Sequence, residues 1–214
     1  MRAPTRPSRI VSGRGTRLRR PLLVAAMAAG LVVAGSSIAQ AQSITDADAA
    51  GDMVRFDFET EESRPAPNQV RNDVVLRTTL THNATRISIR VKYAELRRLG
   101  DSHGQWVHMV TNEGVHRSLD VVASPGEWAG WPEMRRGREA LHEVQCALRH
   151  SIDYTDNVIA VSFPRRCASS PRWVKFQVQG FRAGNTGFYN DDALRDGPFL
   201  GAGPPAQSRR VYRG

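Results

Sequence analysis

The chain has 214 residues, 40% of them hydrophobic and 7% aromatic, with 30 Lys and Arg against 21 Asp and Glu. A chain of that length buries a core without metals or many disulfides, its apolar content excludes wholesale disorder, and a mean hydropathy of -0.43 excludes a polytopic membrane protein. The formal net charge of +9 suggests a polyanion-binding protein only until its position along the chain is considered.

Seven of the arginines (Arg2, Arg6, Arg9, Arg14, Arg17, Arg19 and Arg20) fall in residues 1–41, which contain no acid. An apolar run from Pro21 to Ala34 follows them, and small residues lead to Ala39-Gln40-Ala41. A basic stretch, a short apolar stretch and an A-x-A site in that order predict a secretory signal peptide over residues 1–41, cleaved after Ala41. Gly30, Gly35, Ser36, Ser37 and Gln40 dilute the run and argue against a retained anchor. Arg19-Arg20 ahead of Leu22-Leu23 also fits a twin-arginine leader. Without its leader the chain keeps 23 bases against 21 acids, which argues against a nucleic-acid partner.

The chain beyond Ala41 opens on acids: Asp46, Asp48 and Asp52. Period-2 alternation then recurs along it, and alternation of this kind predicts half-buried strands. Val54, Phe56 and Phe58 alternate with Arg55 and Asp57; Val74, Leu76, Thr78 and Leu80 share a face; Ile87, Ile89, Val91 and Tyr93 share another. Less clean is the segment Trp106 to Thr111, followed by Leu119, Val121 and Ala123. Later come Val144, Cys146 and Leu148, then Ile159, Val161 and Phe163, then Val174, Phe176 and Val178. Helical pattern is confined to one or two turns at Tyr93 to Leu99 and two more at Glu133 to Leu141. About eight short strands with turns between them predict an antiparallel β-sandwich, jelly-roll-like, over residues 42–196, with 197–214 as a flexible tail rich in Gly and Pro. Export implies an oxidising compartment, so Cys146 and Cys167 are expected to pair; two buried free thiols are the alternative.

Several segments resemble a group of uncharacterised secreted proteins of actinobacteria. They are Thr45 to Asp52, Asn72-Asp73-Val74-Val75 with His82, Arg86 to Tyr93 with Glu95-Leu96, Ser151 to Tyr154, Val161 to Cys167, Pro171 to Val174, and Asp191-Asp192-Ala193. The run Pro164-Arg165-Arg166-Cys167, followed by Pro171-Arg172-Trp173-Val174, is the most distinctive. The group is itself similar, more loosely, to DOMON-type and family-9 carbohydrate-binding sandwiches. The resemblance implies a sandwich fold and brings no activity or catalytic residue.

No G-x-S-x-G, C-x-x-C, H-E-x-x-H, P-loop or G-x-G-x-x-G occurs. A three-residue loop at Asn112 to Gly114 would set Val110 opposite His116 and His108 opposite Ser118, leaving two histidines on a wet face rather than a metal site. Trp128 and Trp131, in a segment that reads as a loop, are the candidate ligand-binding pair, because paired aromatics stack on sugar rings or seat in a partner's pocket. Asp46, Asp48 and Asp52 near one end of the domain, with Asp191 and Asp192 near the other, are candidate ligands for structural Ca²⁺, a hard cation that takes six to eight oxygens; no other cofactor is implied. The expected function is therefore non-catalytic binding of a glycan or protein outside the cell or in its envelope. The alternatives are a hydrolase whose carboxylates or histidines the fold assembles, and a calcium-stabilised structural envelope protein.

Overall fold

A computed structural model describes residues 41–137, 142–200 and 204–214. The expected leader, residues 1–41, lies almost wholly outside the described residues. The described residues form fourteen strands, in chain order β1 (Gln42–Ala47), β2 (Val54–Asp57), β3 (Ser63–Pro65), β4 (Val75–His82) and β5 (Arg86–Tyr93), then β6 (Ser102–Thr111), β7 (His116–Ser124), β8 (Glu127–Arg136) and β9 (His142–Glu143), then β10 (Arg149–Asp153), β11 (Val158–Pro164), β12 (Trp173–Gly184), β13 (Gly187–Asp192) and β14 (Val211–Tyr212). The described residues contain one 3₁₀ turn, Arg165–Ala168, and no α-helix.

The strands form two antiparallel sheets. One has five strands in the order β1-β4-β5-β11-β10; the other has nine, in the order β3-β2-β13-β12-β6-β7-β8-β9, with β14 also paired to β12. Alternation dictates what each sheet buries. Ile87, Ile89, Val91 and Tyr93 of β5 and Ile159, Val161 and Phe163 of β11 meet Val107 and Met109 of β6, Leu119 and Val121 of β7 and Val174, Phe176 and Val178 of β12 in one core. Closely packed side chains of this kind hold a sandwich together, each contributing about 1.5–3 kcal/mol on burial.

The chain changes sheets five times, and polar staples tie the crossings. Cys146, after β9, is bonded to Cys167 in the turn after β11, with an S–S distance of 2.08 Å. Closing a loop of 21 residues stabilises by about 3 kcal/mol in the chain-entropy picture. Asn72, buried and left-handed at φ 65°, accepts from Arg97 N at 2.6 Å and donates to Leu99 O at 3.2 Å, joining the crossing before β4 to the one after β5.

The run from Pro164 to Trp173 owes its form to Arg165. This nearly buried guanidinium donates to His82 Nε2 (3.1 Å) and to the carbonyls of Ala84, Ser170 and Pro171. His82 Nδ1 faces the Val211 carbonyl at 3.1 Å, so Nδ1 carries the proton and Nε2 accepts; burial holds the ring below its usual pKa. Arg165→Met leaves two buried acceptors, His82 Nε2 and the Pro171 carbonyl, unpaired, and an expected loss of roughly 2–4 kcal/mol is readable in a urea titration. Arg165→Lys should recover little of it, because an ammonium lacks the planar fork.

Three expectations differ from what is observed. Residues 204–214 pack on the sandwich: Val211 is fully buried opposite Val174, Ser208 is hydrogen-bonded to the Phe176 backbone, and Gly214 N donates to His82 O. Val144, Cys146 and Leu148 alternate because they rest on the core beneath the disulfide, while the strand that pairs with β11 begins at Arg149. Neither expected helix appears in the described residues. Asn157 Oδ1 and Asn72 Oδ1 capture the amides of Leu96 and Arg97, and Glu133 to Arg136 belong to β8, while residues 138–141 lie outside the described residues.

Candidate binding face and acid cluster

Strands that send Val107, Met109, Leu119, Val121 and Val178 inward must send their neighbours outward. On the outer face of the nine-stranded sheet Trp106 therefore stands between Gln179 and Asp120, and Phe181 stands opposite Asn190 and Gly104. Trp106 and Phe181 stack at 4.5 Å between centroids, and Phe188 joins them at 5.0 and 5.7 Å. Phe56 pairs with Phe188 across β2 and β13 and meets Phe58 edge-on at 6.1 Å. One cross-strand row runs Asn190, Phe181, Gly104, Val122, Trp131, so Phe181 and Trp131 lie three strand spacings apart, roughly 14 Å.

Phe56 is 37% exposed, Phe58 50% and Trp131 42%. Between these aromatics lie amides (Gln179 and Asn190) and an ion network in which Arg135 reaches Asp120 at 3.1 Å and is also paired with Glu133. Burial raises the Asp120 carboxyl above its usual range, and Arg135 partly opposes that.

The two expected ligand-binding tryptophans separate. They lie within β8 rather than in a loop, and a spacing of three sends them to opposite faces of a strand. Trp128 stacks on buried His103 at 5.6 Å, and its carbonyl accepts from the Tyr154 hydroxyl at 2.9 Å. Burial depresses the His103 pKa to about 4, so a neutral imidazole closes this end of the core. Trp131 remains outward and open. The histidine register falls where the loop length puts it: His108 opposite Ser118, 3.1 Å from its hydroxyl, and Val110 opposite His116.

The acids sort themselves by the same parity. Asp46 and Asp48 continue the inward face begun by Ile44. Gly51, at φ 98°, lets the chain turn back after β1, so Asp52 returns beside Asp48. Asp191 arrives from β13 in the other sheet. Asp48, Asp52 and Asp191 bring one carboxylate oxygen each within 4.8 Å of one another. Asp191 Oδ2 accepts from Val75 N at 2.7 Å and Asp52 Oδ2 from Gly197 N at 2.9 Å. Burial first, then the neighbouring carboxylates, raise Asp48 to about 9 and Asp191 to about 8.

Of the five expected ligands, Asp46 and Asp192 stand outside this group. Asp46 lines an open cleft with Asp196 and Gln207, and Asp192 accepts from Ala206 N at 2.7 Å and pairs with Arg195 at 3.3 Å. Sequence reasoning overlooks Asp73, which is fully buried and lies 3.5 Å from Arg182; burial, only partly offset by that guanidinium, raises its pKa to about 7. Its only sequence signal was an acid at the start of an apolar alternation.

Fold and site together define a disulfide-linked, two-sheet β-sandwich with an aromatic outer face and a buried acid cluster. No family model matches the chain, and neither a curated protein nor a solved structure matches it.

Proposed function

We propose that this is a secreted, non-catalytic binding protein that holds an extracellular or envelope glycan on the outer face of the nine-stranded sheet. The observation that carries the reading is the aromatic strip from Phe58 through Phe56, Phe188, Trp106 and Phe181 to Trp131, interleaved with Gln179 and Asn190. Sugars offer an apolar C–H face to a ring and hydroxyls to neighbouring amides, and this surface presents both within one strand spacing. Secretion rests on residues 1–41 and on the Cys146–Cys167 bond, which belongs to an oxidising compartment. Cleavage after Ala41 would leave β1 whole, since its ladder starts at Gln42.

A glycan array followed by calorimetry on the secreted protein tests this. Trp131→Ala and Phe56→Ala should each weaken binding about tenfold, the effect of removing one stacked ring worth about 1.4 kcal/mol. Trp128→Ala should lower the melting temperature and leave affinity intact. Wild-type affinity in both outer-face variants, or capture of an envelope protein with no glycan bound, would overturn the reading.

A further inference from the structure

We infer that Asp48, Asp52 and Asp191 hold a calcium ion that ties the two sheets together where the chain first crosses between them. Proximity of acids alone does not carry this, since exposed acids often gather without a ligand. The state of their oxygens does. Asp191 is 1% exposed and Asp52 8%, and each spends Oδ2 on a backbone amide while its buried Oδ1 has no partner. Both oxygens of Asp48 are likewise buried and unpartnered. Four buried acceptor oxygens on these three side chains thus lack a hydrogen bond among the described residues, and one oxygen of each lies within 4.8 Å of the others. Leaving a buried polar group unpaired costs about 1–3 kcal/mol, and more when it is charged.

The basic residues nearby are engaged elsewhere. Arg182 pairs with Asp73 at 3.5 Å, and Arg195 with Asp192 at 3.3 Å. No guanidinium or ammonium pairs with any of the three acids in the described residues. What the site lacks is a compact positive charge that accepts only oxygen.

Spacing favours calcium. Oxygens on opposite sides of a calcium ion, each about 2.4 Å from it, stand about 4.8 Å apart. The three carboxylate oxygens lie within 4.8 Å of one another, a spread that one calcium ion spans once the side chains close on it slightly. Magnesium, with ligands at about 2.0–2.1 Å, needs a tighter octahedron and tends to keep its waters rather than dehydrate into an all-protein cage. The ligands also come from distant parts of the chain. Asp48 and Asp52 lie in the passage from β1 to β2, and Asp191 is the penultimate residue of β13 and accepts from Val75 of the opposite sheet. An ion here is a second staple of the same kind as the disulfide, which ties two other crossings.

The test uses full-length protein stripped with EDTA and dialysed. Titration with calcium chloride should show one ion per chain, and magnesium chloride should bind at least tenfold more weakly. Calcium at about a hundred times its Kd should raise the melting temperature by about 5–10 °C. Asp48→Asn and Asp191→Asn should each weaken calcium binding at least a hundredfold, while Asp46→Asn, outside the cluster, should bind as wild type. Should either cluster variant fail to fold, Asp52→Asn and the wild-type titration still decide. Folded wild-type protein that takes up no calcium, with a melting temperature indifferent to calcium and EDTA, overturns the inference. So does undiminished binding in Asp191→Asn, or loss of binding in Asp46→Asn.

Discussion

Gly104→Ala should abolish the native fold or cost at least about 4 kcal/mol, read as loss of soluble protein or of the cooperative thermal transition. A Cβ at Gly104 would lie 1.9 Å from the Val121 carbonyl oxygen and 3.0 Å from its carbon. Both atoms are backbone of the neighbouring strand β7, so relief requires breaking the β6–β7 ladder rather than turning a side chain. The next neighbour is the Phe181 ring at 3.1 Å, which lies over the glycine and from there stacks on Trp106. The Gly104 carbonyl also accepts from the buried Tyr93 hydroxyl at 3.1 Å, so displacing this strand disturbs the core as well as the outer face. Gly126→Ala is the control. Its Cβ would meet nothing within 4 Å, and only the left-handed backbone at φ 89° opposes the change, at about 1–2 kcal/mol. Equal, mild effects in the two variants would show that the strand separation at Gly104 is looser than this packing requires.

How much of this was legible before folding depended on whether a residue's role was set by its own strand. Along β5 and most of β4 and β11 a single face is buried, and alternation alone places Leu80, Ile89 and Val161 in the core. The His108–Ser118 pairing was legible because a short loop fixes a hairpin's register. β8 was not, because Gly130 and Pro132 read as punctuation and the partner strand that accommodates them is invisible in sequence. The same limit hid the fate of Tyr93 to Leu99, whose amides are captured by Asn72 and Asn157 from elsewhere in the chain. Among the acids, sequence showed two clusters at the ends of the domain, and folding decided their membership. Gly51 turns Asp52 toward Asp48, whereas Ala206 and Arg195 occupy Asp192. The aromatic strip was hidden because its members come from five strands (Phe56 from β2, Trp106 from β6, Trp131 from β8, Phe181 from β12, Phe188 from β13), and no local pattern announces that they share a face.

Stripped of calcium, the protein should lose stability as pH rises from about 6.5 to 8. In the unfolded chain aspartates titrate near 3.9, so above pH 6 they hold no protons. In the fold Asp48 is raised to about 9 and Asp191 to about 8, so each still holds one over most of that range. The native state then binds more protons than the unfolded state, and stability falls with pH by about 1.4 kcal/mol per unit for each such group. Asp73, raised to about 7, adds to the fall only up to neutrality, since beyond that it is ionised in both states beside Arg182. His103, held near 4, acts in the opposite direction, but only below about pH 6.5, where the unfolded ring charges and the buried one does not. Above about pH 7.5 the fall therefore belongs to the acid cluster alone. Urea titrations from pH 6.5 to 8 should show the midpoint dropping throughout in wild type and levelling off above about pH 7.5 in the double variant Asp48→Asn, Asp191→Asn, whose amides do not titrate and which keeps only the Asp73 contribution. A midpoint that is flat or rising in wild type would mean these carboxyls are hydrated and already ionised. Saturating calcium should reverse the trend: an ion holds the carboxylates charged in the fold, so the gap between calcium-loaded and stripped protein widens with each step toward alkaline pH.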